Sequence, residues 1–212
     1  MITTILVVAI ISYLIGSVNF AVLLSKKMAG FDVREKGSGN AGSTNMLRSV
    51  GKKAAAITLI CDILKGVVAI FVAWLIGRIP NLNAATLVQV AGIFVILGHT
   101  FPVFYEFKGG KGVATSLGVL LVTNWNIGLV CLAFALVLMA FTRMVSLGSI
   151  AAAVLFPILV IFMPSNAYIV EGNYVVFAII LAILVIFNHR ENVKRLLKGT
   201  ENKLSFKNKE KF

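Results

Sequence analysis

Charge is what this sequence has least of. Only 13% of its 212 residues are Asp, Glu, Lys or Arg, about half of the roughly 25% found in soluble domains. That shortage excludes an ordinary water-soluble globule. Acidic side chains are the scarcer sign, 8 against 20 basic ones. Cysteine is limited to Cys61 and Cys131. Both fall inside apolar segments at no metal-ligand spacing, so they read as small buried hydrophobes and no metal site is expected. A basic stretch ahead of the first apolar run is missing too. That run, Ile2 to Leu24, is longer than the core of a cleavable leader, so none is expected.

What is present is apolar: 59% of the chain, gathered into runs that approach or exceed the ~18–20 residues a bilayer-spanning helix needs. They cover roughly 2–24, 54–77, 84–105, 113–141, 145–163 and 173–188. The reading is an all-α integral membrane protein, one domain over residues 1–212, with a polar, basic, frayed tail at 204–212. The run 113–141 is interrupted by Thr123-Asn124-Trp125-Asn126, a turn signal with an interfacial Trp. It is either one span or a hairpin of two short helices, one of which could be re-entrant.

Charge favours the hairpin. Counting about seven helices puts Lys26, Lys27, Arg34, Lys36, Arg48, Lys52, Lys53, Lys108, Lys111, Arg143 and the eight basic residues from Arg190 to Lys211 on one side. Only Arg78 falls on the other, and Lys65 lies within a helix. Cytoplasmic loops carry the excess of Lys and Arg, so the expected arrangement has the N-terminus outside and the C-terminus in the cytoplasm. Basic residues confined to short loops and a tail suit anionic lipid head groups, and no nucleic-acid partner is expected.

That side also collects three polar stretches. The first is GSGNAGSTNMLR, residues 37–48. Gly37, Gly39 and Gly42 let backbone N–H groups turn toward one point. Ser38, Ser43 and Thr44 add hydroxyls, Asn40 and Asn45 add amides, and Arg48 adds a guanidinium that grips two phosphate oxygens at once. This is the chemistry of an anion cradle; the bland alternative is a flexible connector. The second contains Lys108-Gly109-Gly110-Lys111-Gly112 just before a helix, where exposed N–H groups and the helix dipole favour an anion. Its spacing is not that of a Walker A loop, and a basic turn anchoring lipid heads is the alternative. In the third, His189, Asn192 and Arg195 recur at intervals of three and share one helical face. Asp62 and Lys65, also three apart, lie in an apolar segment where charge is expensive. Mutual pairing and contact with the polar site both remain open for them.

Together the three stretches resemble the bacterial membrane acyl-phosphate:glycerol-3-phosphate acyltransferases. A first motif of the form S-G-N-x-G-x-T-N-x-x-R is met from Ser38 to Arg48. G-H-x-F-P followed by F-K-G-G-K-G-V-A-T is met at Gly98–Pro102 and Phe107–Thr115. H-R-x-N with a downstream R-L-x-x-G-x-E is met by His189, Arg190, Asn192, Arg195, Leu196, Gly199 and Glu201. The departures are small: Ala41 and Ser43 at variable positions, and Asn202 where proline is common. The resemblance covers nearly the whole chain.

It implies transfer of a fatty acyl group from acyl phosphate to the 1-hydroxyl of glycerol 3-phosphate, at a site facing the cytoplasm in the bacterial cytoplasmic membrane. No cofactor and no metal are implied. Catalytic roles fall to Ser38, His189 and Asn192. Substrate binding falls to Gly37, Gly39, Asn40, Gly42, Thr44, Asn45, Arg48, His99, Lys108, Gly109, Gly110, Lys111 and Gly112. The expected partners are the two phosphate substrates, the bilayer and an enzyme that makes acyl phosphate. The H-x4-D signature of acyltransferases that use acyl-CoA or acyl-carrier-protein donors is absent: Phe104 stands at the required distance from His99, and Lys194 from His189. A transporter or exchanger of a phosphorylated solute, with Asp62 and Lys65 as its midplane pair, is the competing class.

Overall fold

The computed structural model describes residues 1–163 and 173–204. The expected outward loop near Pro164–Asn173 and the tail at 204–212 lie, apart from Asn173 and Leu204, outside the described residues. The described chain is helical and contains no strand. In order, the helices are α1 (Ile2–Ser17), α2 (Phe20–Ala29), α3 (Ser43–Ser49), α4 (Lys52–Gly77), α5 (Ala84–Thr100), α6 (Val113–Thr123), α7 (Trp125–Thr142), α8 (Val145–Phe162), α9 (Tyr174–Asn188) and α10 (Arg190–Leu197).

Local chemistry sets the breaks. Asn19 caps α2 by accepting the Val22 N–H at 3.1 Å, so the run expected over 2–24 is two helices rather than one. Gly30, in the left-handed region at φ 74°, ends α2. The run expected over 84–105 stays α-helical only to Thr100, then turns through a 3₁₀ segment at Val103–Tyr105. Asn124 divides the run 113–141, its side chain accepting the Ile127 N–H at 3.3 Å. Free backbone groups at a helix start are satisfied by such side-chain oxygens.

Five spans among the described residues are long and apolar enough to cross a bilayer: α1 with α2, α4, α5 with its turn, α7 and α8. The pair α9 and α10 makes a sixth, bent by 65°. At 1.5 Å per residue α6 covers roughly 16 Å, about half of the ~30 Å hydrocarbon layer. The three polar stretches gather at one end of the bundle. The start of the tail joins them, because the Leu204 N–H donates to the Arg143 carbonyl at 2.7 Å. Both ends of the α6–α7 pair therefore return to that polar end.

Large apolar side chains face outward along the helices, among them Leu6, Ile10, Phe71, Leu75 and Ile183. In water such a surface would drive aggregation; in lipid it is the solvated one. With lipid tails as apolar as leucine, helix association relies on close packing. Two glycine contacts supply it. Gly16 and Gly98 bring α1 and α5 together, and Gly66 and Gly118 do the same for α4 and α6. A methyl group on Gly98 would overlap the Tyr13 carbonyl, and one on Gly118 the Ile63 carbonyl. Between these seams lies the core of Ile70, Val88, Val95, Ile96, Val119 and Phe177.

Gly98→Val should therefore prevent the α1–α5 seam from closing. Overpacking costs about 1–3 kcal/mol where neighbours can yield, and a backbone carbonyl yields less than a side chain. The expected outcome is loss of a monodisperse peak on size exclusion in detergent; a variant as stable as the parent would refute the seam.

Candidate functional site

The polar end opens into a cavity of about 840 Å³. Its polar wall is built from all three stretches, and its apolar wall runs down α6, α7, α8 and α9 past Leu117, Leu132, Ala135, Met139 and Phe156. Leu59 on α4 and Leu136 on α7 line it while remaining largely exposed, so the apolar part is open toward lipid.

The first loop is shaped by Asn45. Its Nδ2 donates to the carbonyls of Val33 (2.9 Å) and Lys36 (3.0 Å), and its Oδ1 accepts the Ser38 N–H at 2.9 Å. Both amide hydrogens are thus committed to folding the loop, while Asn45, expected to hold substrate, also borders the cavity. Gly37 is likewise structural: it sits at φ 61°, and a side chain there would run into Asn45 and Ser49. Ser38, Gly39, Asn40, Gly42, Thr44 and Arg48 do line the cavity. The Arg48 side chain has no hydrogen-bond or ion-pair partner among the described residues.

A bridge not expected from the sequence ties this loop to the second one. Asp32 accepts from Arg34 Nε (3.0 Å) and Nη2 (2.8 Å), and Arg34 Nη1 donates to the Tyr105 carbonyl at 2.9 Å. The guanidinium holds the Asp32 carboxyl below its ordinary value, chiefly through that hydrogen bond.

The second loop hangs from the end of α5. The Gly109 N–H donates to the Thr100 carbonyl and the Gly110 N–H to the His99 carbonyl, each at 3.0 Å. Gly110 is pressed between the His99 ring and the Ala41 carbonyl, with no room for a side chain. Gly112, at φ 82°, turns the chain into α6. Gly109, Lys111 and Gly112 line the cavity. Lys108 does not: its ammonium is exposed and lies 3.6 Å from Glu106. The two lysines of this loop point to different environments: Lys111 faces the cavity, and Lys108, expected as a substrate ligand, faces the surface.

The third stretch closes the wall. Asn188 Nδ2 donates to Thr100 Oγ1 at 3.0 Å. His189 is buried, and its Nδ1 lies 2.8 Å from the Val185 carbonyl. That contact makes Nδ1 the protonated nitrogen and leaves Nε2 with a free lone pair. The Asn192 Oδ1 accepts from the Lys111 ammonium. Its Nδ2 donates to Glu201 Oε1 at 2.9 Å, and Glu201 Oε2 accepts from Arg195 Nε at 3.1 Å. Asn192 thus links Lys111 to Glu201 and also lines the cavity. Sequence reasoning also missed Ser146 and Ser149, which line the cavity from α8. The hydroxyl of Ser146 is buried with no partner among the described residues. Two serines three apart in an apolar helix were the available signal. Among the described residues no group of three or more His, Cys, Asp or Glu side chains converges.

Burial is the main cause that pushes the Lys111 ammonium down to about 8, with the charges of Arg195 and Arg48 adding to it and Glu201 opposing. A lysine is charged below its pKa. Binding of an anion that depends on Lys111 should therefore be full at neutral pH and fall as pH rises through about 8. In the free protein kcat/KM should show that alkaline limb, and Lys111→Arg should remove it, because arginine stays protonated. A limb unchanged in Lys111→Arg would assign it elsewhere.

Comparison with known proteins completes the description. The model of the family described as glycerol-3-phosphate acyltransferase matches residues 6–199. A glycerol-3-phosphate acyltransferase of Clostridioides difficile is 42% identical, the alignment covering 95% of this chain and 96% of that one. One from Thermoanaerobacter pseudethanolicus is 47% identical over 94% and 95%. The crystal structure of PlsY (YgiH), an integral membrane glycerol 3-phosphate acyltransferase, in its glycerol 3-phosphate form, superposes with a TM-score of 0.82 at 36% identity, covering 95% of this chain and 96% of that one. Its lysophosphatidic acid form gives 0.80.

Proposed function

The chain belongs to the glycerol-3-phosphate acyltransferase family, and from that premise we propose that it moves a fatty acyl group from acyl phosphate to the 1-hydroxyl of glycerol 3-phosphate. The products are lysophosphatidic acid and inorganic phosphate. One observation carries this reading: Arg48 on α3 and Lys111 in the second loop face a single cavity whose other wall is apolar. An anionic head and an acyl chain are accommodated side by side.

The chemistry asked of the protein is modest. The glycerol oxygen attacks the acyl carbonyl carbon, and the bond from that carbon to the phosphate oxygen breaks. The departing phosphate takes up the hydroxyl proton directly or through His189 Nε2. The first loop, with Ser38, Asn40 and Thr44, donates hydrogen bonds to the charge that develops, and Arg48 and Lys111 neutralise phosphate. His189 aligns the hydroxyl. Asn192 holds the Lys111 ammonium in place and thereby acts on the phosphate rather than on the glycerol.

The 18-to-1 division of basic residues supports seven crossings with the N-terminus outside and this cavity facing the cytoplasm, where an acyl-phosphate-producing enzyme would meet it. The short α6 is the crossing that neighbouring helices must shelter.

Purified protein in detergent should release phosphate and form lysophosphatidic acid from acyl phosphate and glycerol 3-phosphate, and should fail with acyl-CoA. The glycines, Arg48 and Lys111 of the polar wall suit a small phosphate. Comparable rates with acyl-CoA would refute the donor assignment, and movement of solute across sealed vesicles without phosphate release would favour an exchanger.

Arg48 gives the sharper test. Arg48→Lys keeps the charge but loses the two-pronged grip. A hydrogen bond to a charged group contributes about 1.5–3 kcal/mol, so kcat/KM should fall roughly ten- to a hundred-fold. Wild-type kinetics would reduce Arg48 to a topology signal.

A further inference from the structure

Three ionisable side chains are buried together beside the cavity, and the chemistry above uses none of them. Asp62 and Lys65, one turn apart on α4, pair at 3.0 Å. His99, at the end of α5, turns its Nδ1 toward Asp62 Oδ1 at 3.5 Å. All three are at most 5% exposed. Charge inside a membrane span is costly and is retained where it has work to do. A carboxylate lining a cavity that binds phosphate is doubly costly, since it repels the ligand.

The contacts around the cluster indicate what the work is. The Lys65 ammonium also donates to the carbonyls of Gly16 (2.9 Å) and Val18 (2.8 Å), where α1 gives way to α2. It is thus anchored from two sides and holds Asp62 in one place. Asp62 faces the His99 ring at a distance too long for a strong hydrogen bond. It is close enough for the carboxylate to favour a proton on Nδ1 and fix the ring's orientation. The opposite edge of that ring, at Nε2, lies against Gly110. The His99 and Thr100 carbonyls hold the Gly110 and Gly109 amides, and Thr100 Oγ1 holds Asn188. Lys111 follows Gly110 directly, and its ammonium meets Asn192.

We propose that Asp62, held by Lys65, is a positioning residue for Lys111: it fixes the His99 ring against Gly110 and so sets where the Lys111 ammonium stands in the cavity. The inference rests on Lys111 being a phosphate ligand, as argued above. It assigns the paired charges to catalysis at a distance rather than to solute passage or to fold stability alone.

The test is a double-mutant cycle on the full-length protein, with kcat and KM measured for both substrates. Asp62→Asn removes the charge that orients His99. It should raise the KM of the phosphate substrate that responds to Lys111→Ala, by about tenfold. In the Lys111→Ala background the same change should have less than about a twofold effect, because Asp62 then has nothing left to position. Breaking a buried pair on one side can unfold a protein, whereas removing both charges together often does not. Asp62→Asn with Lys65→Met is the companion variant. It should fold, by size exclusion and thermal unfolding in detergent, and still carry the raised KM.

Restored wild-type kinetics in that double variant would overturn the inference, because the pair would then serve only to neutralise itself. An Asp62→Asn effect of equal size with and without Lys111 would overturn it as well, whatever Lys111 does. A silent Lys111→Ala, by contrast, would refute the phosphate reading of the second loop, so the two failures are distinguishable.

Discussion

Crowded positive charge at the edge of an apolar cavity is the constraint on which this site depends. Lys111 and Arg195 share Glu201, and Arg48 faces the same space without a carboxylate of its own. Burial is the main cause of the lowered Lys111 pKa, and the like charges of Arg195 and Arg48, which repel more strongly in a medium of low effective dielectric than in water, add to it. An anion entering the cavity relieves that repulsion. Glu201, bonded to Arg195 and Asn192, is the carboxylate of this network, and the proposed phosphate substrate would add the negative charge the network is short of.

Holding such a network still requires backbone that approaches closely and side chains already spoken for. Asn45 uses its amide to close the first loop, and Asn192 uses its amide to steady Lys111. The Asp32–Arg34 pair ties the first loop to the second, and Thr100 ties the second to the third. Part of what looks in the sequence like ligand chemistry is spent on this framework. Asparagine in a loop can complete a turn or contact a ligand with the same atoms, and here both Asn40 and Asn45 border the cavity while Asn45 also closes the turn.

The helices serve the same end. Close seams at Gly16–Gly98 and Gly66–Gly118 hold α1 against α5 and α4 against α6, and Lys65, donating to the Gly16 carbonyl, puts the two seams at one level. That level is where Lys65 bridges α4 to the end of α1 and where the second loop begins. Fewer residues of α7 and α8 are buried than of α1, α4 or α5, so this pair lies at the periphery of the bundle, beside the cavity it helps to line.

Composition alone determined that this chain lives in a membrane. So few charges and such long apolar runs leave a helix bundle as the structure that satisfies its backbone in lipid. The alternation of those runs with basic loops placed the polar stretches at one end, and Asn124 was legible as a break because its neighbours are polar. The glycine and hydroxyl content of the loops, with Arg48 and Lys111, was enough to indicate anion chemistry. Only the tertiary structure decided which of these residues face the cavity. Lys108 and Lys111 are three positions apart in one loop, and nothing local separates them; the packing of Gly110 beneath His99 sends one to the cavity and the other to solvent. The partners of Asp62 and Lys65 were equally out of reach, because a pair at i and i+3 predicts its own contact. His99 and the end of α1 lie more than thirty residues away along the chain. Contacts across such separations depend on which helix faces meet, and that is settled by packing rather than by local sequence.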